Sequence, residues 1–140
     1  MIALWTNHLS VANRAIDSAH KHIFSIINRV DSLIGTKDDA TLIDTFGFLE
    51  DSLCAYFETE EKIAKAINVD FAQHKLAHQQ LLNDFHWMRN TLAEKNGKWS
   101  EKEVENITVP WVKRFIQHIK DDGKQMKVVL STHYYDFQPD

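Results

Sequence analysis

The sequence predicts an all-α protein, an up-down-up-down four-helix bundle. Three observations carry this expectation. Four glycines and two prolines in 140 residues leave long stretches without the punctuation that short strands need. Apolar residues recur alternately three and four positions apart in four separate segments, the period of helices that bury one face. No strand-like alternation competes, and no internal repeat or low-complexity segment interrupts the pattern.

Each helix can be bounded in turn. The first carries the stripe Ile16, His20, Ile23, Ile27, Val30, Ile34, with Gly35 to close it. Thr36 or Asp38 can cap the second, whose stripe is Leu42, Phe46, Leu49, Leu53, Tyr56, Glu60, Ile63, Ile67, ending near Asn68. Asp70 with Gln73 resembles a capping box for the third, whose stripe is Phe71, His74, His78, Leu81, Phe85, Met88, Leu92. Asn96-Gly97 ends it. Ser100 with Glu103 offers a capping box for the fourth, which reads Trp111, Phe115, His118, Asp122, then Met126 and Val129. Pro110 is expected to kink or restart that last helix.

Composition narrows the function classes. A chain of 140 residues, 44% hydrophobic and 26% charged, suits one globular domain, expected to span residues 1–140. The net charge of -4 argues against nucleic acid, whose phosphates require a basic surface. No apolar stretch is long enough for a membrane span or a signal peptide, and the single cysteine, Cys54, permits no internal disulfide. A cytoplasmic location is the expectation. Eight histidines are the unusual count, so the position of each one matters.

The apolar stripes are interrupted by His20, Tyr56, Glu60, His74, His78, His118 and Asp122. Three helices carry these residues as i, i+4 pairs, which places both side chains on one face a turn apart. An unsatisfied buried polar group costs about 1–3 kcal/mol, and an isolated buried carboxylate costs far more. One inward histidine is usually a satisfied core residue. Four histidines, two carboxylates and a phenol converging from four helices ask for a bound cation.

Imidazoles with carboxylates and no thiolate suit iron, manganese or zinc. A structural zinc needs only four ligands, usually including cysteine, whereas seven candidates suffice for two larger ions bridged by carboxylate. The Glu-x-x-His pairing of ferritin-like di-iron bundles is missing from these stripes.

Four segments carry a resemblance to a known family. Ile16-Asp17-Ser18-Ala19-His20-Lys21, followed by Phe24 and Ile27-Asn28, looks like the first-helix signature of the hemerythrins. Tyr56-Phe57-Glu58-Thr59-Glu60-Glu61 resembles their His-Phe-x-x-Glu-Glu element, with tyrosine in the place of histidine. His74-Lys75-Leu76-Ala77-His78 matches His-x-x-x-His, and Phe115-Ile116-Gln117-His118-Ile119 matches the approach to the final histidine. The resemblance runs through nearly the whole chain, and it implies a four-helix bundle around two non-haem irons that bind O2 or a small anionic ligand. By that resemblance His74, His78 and His118 would hold one iron, His20 and position 56 would serve the second, and Glu60 with an aspartate of the last helix would bridge them.

Two positions depart from the family pattern. Tyr56 replaces a histidine; a phenolate would favour ferric iron, and a phenol that only fills space would leave the second iron weakly held. The bridging aspartate falls at Gly123, with Asp122 one residue earlier, about 100° around a regular helix. Asp122 nevertheless lies on the stripe four residues after His118, and Gly123 can loosen the helix locally. These departures keep open an oxygen- or peroxide-activating oxidase or peroxidase with a tyrosine ligand, and a degenerate sensory or interaction domain holding one metal or none.

The remaining candidates read as ordinary surface and packing residues. His22, His86 and His133 fall off the stripes, and His8 precedes the first helix, where it can cover the bundle end. Cys54 reads as inert, Glu61 as an exposed neighbour of Glu60, and Arg114 as a solvent-facing cation. Trp5, Trp87, Trp99 and Trp111 read as packing and helix-end anchors.

Overall fold

The computed structural model describes residues 5–139, apart from the side chain at position 122. A short 3-10 turn, Asn7–Leu9, leads into four helices: α1 (Arg14–Ile34), α2 (Asp39–Ala66), α3 (Ala72–Glu94) and α4 (Glu101–Leu130). Each helix packs on the next, and α4 returns to α1, so the four close around one core. No strand occurs among the described residues.

Local chemistry explains the boundaries. Asn13 caps α1 through its side chain, which accepts from the amide of Ile16. Asp38 does the same for α2 through Thr41, and this bond holds the Asp38 carboxyl below its ordinary value. Ser100 and Glu103 form the full capping box expected for α4. Asn68, Asn96 and Gly97 adopt positive φ of 60°, 50° and 79°, the left-handed geometry that stops a helix. At Gly97 the positive φ favours glycine, and an added Cβ would also push the Asp39 carboxylate aside.

Two boundary expectations need correction. Phe71, not Asp70, is the N-cap of α3 and makes no side-chain cap bond; Asp70 accepts from Ala72 instead, in an Asx-type turn. Pro110 does not restart α4, which runs unbroken through it as 30 residues. Pro110 is exposed, so water can satisfy the carbonyl freed by its missing amide.

The stripes of α1 and α2 are buried throughout, and that of α3 is buried except for half-buried His74. In α4, Leu130 is buried in place of the expected Val129. Trp111 stacks on Phe115 and donates its indole N–H to the carbonyl of Leu81, satisfying its polar edge inside the core. Trp87, expected to anchor packing, is 62% exposed. Full burial of each such apolar side chain contributes roughly 1.5–3 kcal/mol, and this layered core holds the polar end of the bundle in place.

The segments flanking the bundle meet at the start of α1. Buried Asp17 accepts from the Ser10 hydroxyl at 2.5 Å, the Val11 amide at 2.9 Å and the Tyr135 hydroxyl at 3.1 Å. Asn13 donates its side-chain amide to Phe137, and the backbone amide of Arg14 donates to Tyr135. Arg14 also pairs with Asp136, which raises the guanidinium further above its ordinary value. Burial, reinforced by the bond to Asp17, pushes the Tyr135 phenol up.

Candidate metal centre

The four helices deliver most of the predicted polar residues to one end of the core. His20 from α1, Tyr56 and Glu60 from α2, His78 from α3 and His118 from α4 are 0%, 2%, 1%, 2% and 8% exposed. Glu60, His78 and His118 converge most closely: each offers a ligand atom, and these atoms lie within 4.8 Å of one another. Two donors bound to one ion at about 2.1 Å lie at most about 4.2 Å apart, so small side-chain adjustments bring the three onto a single cation. The His78 Nε2 already sits 3.7 Å from the Glu60 carboxylate.

Aromatic walls set the orientation of these rings. Phe57 stacks on His78 with centroids 3.9 Å apart and planes 13° apart, while Phe71 meets the same ring edge-on. The His118 ring lies 4.9 Å from that of His78. His74 stacks on Phe71 and its ring stands 6.5 Å from that of His118, beside the convergent group but not within it.

The other half of the site is arranged differently. His20 Nε2 and the Tyr56 hydroxyl lie 2.8 Å apart, a buried hydrogen bond between the two side chains. The rings meet edge-to-face at 4.8 Å, and Tyr56 also stands 6.4 Å from the His78 ring. Asp122 falls within α4, one turn beyond His118, and its side chain lies outside the described residues. The helix continues through Gly123.

The donor set fits a first-row transition ion. One carboxylate and two imidazoles, all buried, suit intermediate metals, and a cation would balance the buried carboxylate. The family assignment follows from the comparison: the family model described as hemerythrin HHE cation binding domain matches residues 11–127. The chain belongs to the hemerythrin HHE cation-binding family. No curated protein and no solved structure matches it. As a hemerythrin-type domain it is a metal-binding protein, and no described helix is long and apolar enough to cross a membrane.

The polar residues outside the centre take the following positions. His8, His22 and His86 are exposed; His133 is half-buried, with its ring 4.7 Å from that of Phe137. Cys54 is exposed, and desolvation, then Glu50 and Asp51, raise its thiol above the ordinary value. Arg114 faces outward and pairs with Asp84 at 2.5 Å. It lines a cleft of about 250 Å³ between α3 and α4 that reaches His118.

The exposed reading of Glu61 does not hold. Its side chain is 33% exposed, and its carboxylate lies 3.3 Å from His78 Nδ1. The adjacent i, i+1 position on α2 gave no helical-face signal for this contact. Asp17 was legible only as part of the first-helix signature, since its hydrogen-bond partner Tyr135 is 118 residues away.

Proposed function

We propose that this hemerythrin-family domain is a cytoplasmic non-haem iron protein that binds O2 or iron for carriage, storage or sensing. The observation that supports this most is the convergence of buried Glu60, His78 and His118 from three helices. In this reading His74 would join His78 and His118 in holding one iron. His20 and Tyr56 would serve a second, and Glu60 and Asp122 would be shared between the two. Iron, when bound, would supply affinity for O2 or a small anion. The chain's residues hold the donors in register, exclude bulk water through Phe57, Phe71 and Phe115, and leave the cleft at His118 as the approach for a small ligand.

The two positions differ in readiness. Filling the second would require the bond between His20 and Tyr56 to open, so the first iron is expected to bind more tightly than the second. A second reading, one metal per chain, is favoured by that same bond and is the limit in which the pair never opens.

The test is to count metals per chain by mass spectrometry in protein from iron-supplied cells. Absorption spectra follow, recorded on reduction and on exposure to oxygen. Two irons with a reversible oxygen-dependent band are expected. One iron at saturation would establish the single-metal reading. Absence of any transition metal would sink the proposal and leave the family fold.

A further inference from the structure

The side chain of His78 is held on both faces of its chemistry. Its Nε2 looks toward Glu60 at 3.7 Å, while its Nδ1 lies 3.3 Å from the carboxylate of Glu61, the next residue along α2. Phe57 covers the ring face and prevents it from turning over freely. Consecutive residues on a helix point about 100° apart, so Glu60 and Glu61 reach opposite edges of one imidazole.

From this geometry we propose that Glu61 is a positioning residue for the metal centre. It accepts a hydrogen bond from His78 Nδ1–H and so fixes the tautomer whose Nε2 lone pair faces Glu60 and His118. The inference rests on the metal-binding reading of the site. A carboxylate on the outer nitrogen does two things for a histidine ligand. It selects which nitrogen is free, and it increases the basicity of that nitrogen by stabilising positive charge on the ring. Glu61 suits this role because it is partly exposed, so its own charge stays solvated and its burial cost is small. Glu60 occupies the interior and is a donor to the cation itself; Glu61 acts through His78.

The contact is observable without metal. In the metal-free protein, long-range ¹H–¹⁵N spectra of His78 are expected to show the Nδ1–H tautomer. Glu61→Gln, whose carbonyl still accepts, retains it, and Glu61→Ala populates both tautomers. The same variants are then titrated with Co²⁺ against a chromophoric chelator, with circular dichroism melts to verify folding. Glu61→Ala is expected to weaken Co²⁺ binding by about 10–100-fold, with Glu61→Gln between it and the wild type. Glu58→Ala removes an exposed carboxylate of the same helix, paired with Lys62 at 2.9 Å, and is expected to bind as the wild type does.

An unchanged tautomer in Glu61→Ala overturns the proposal. So does Co²⁺ affinity equal to that of the wild type, or an equal loss in Glu58→Ala, which would mark a general charge effect. A wild-type protein that binds no Co²⁺ overturns the metal-binding reading and the affinity part with it, while the tautomer result still reports on the bond itself.

Discussion

The two halves of the polar core use similar residues to different ends. On one side Glu60, His78 and His118 bring three ligand atoms within 4.8 Å of one another. On the other, His20 and Tyr56 spend their polar atoms on a 2.8 Å bond with each other. Both halves are buried in the same bundle, so burial alone does not distinguish them. What differs is the chemistry of the second partner. A carboxylate and two imidazoles gathered together can offer several lone pairs to one cation, whereas a phenol and an imidazole hydrogen-bond each other directly.

Removing a donor from the convergent half is expected to have the largest effect. Glu60→Ala or His118→Ala should weaken the tighter metal-binding step by at least about 100-fold, more than the loss of an outer partner. Tyr56→Phe should leave that step within a few-fold of the wild type. Chelator competition measures both, and equal losses would erase the distinction between the halves. Metal should also stabilise the folded state, by about 2.7 kcal/mol at a free concentration 100 times Kd. Denaturant unfolding with and without metal checks this, and Glu60→Ala should show almost none of it.

Tyr56→His sharpens the comparison from the other side. It replaces a phenol hydrogen-bonded to His20 with a second imidazole, and should tighten the weaker step by roughly 10-fold or more, as expected for a change among metal-site partners. Stoichiometry and affinity from titration test it; an unaltered second step would show that Tyr56 does not limit that position. Smaller still is the metal-free cost of breaking the pair: Tyr56→Phe should destabilise the protein by about 1 kcal/mol, the net worth of an intramolecular hydrogen bond.

A pH effect lies outside both halves and provides a control. Because the Asp38 carboxyl is lowered by its bonds to Thr41, its contribution is present above the ordinary aspartate value of about 3.9 and fades as pH falls through the lowered value. Helical signal in Asp38→Asn should depend less on pH in that acid range than the wild type, whether or not metal is bound.

The period of apolar residues revealed the helices, and the polar interruptions revealed the site's members, because both depend on local spacing. Ser100 with Glu103 was legible for the same reason. The pairing of His20 with Tyr56 was not, since two stripe residues can either face a common ion or face each other, and spacing is identical in both cases. Glu61 escaped because a residue beside a stripe belongs to no face pattern, yet its carboxylate reaches across to α3. Asp70 was misread because a capping box and an Asx turn share the same residues and differ only in which amide is bonded.

The bonds of Asp17 have a consequence for the order in which the chain takes shape. Ser10 and Val11 precede it closely, but Tyr135 lies beyond all four helices. During synthesis the start of α1 therefore waits for nearly the whole polypeptide before its last hydrogen bond can form. Contacts of such long sequence separation carry a large closure cost and are late to form. The clasp at Asp17 is a seal on a finished bundle, and its opening would expose the beginning of the helix that carries His20.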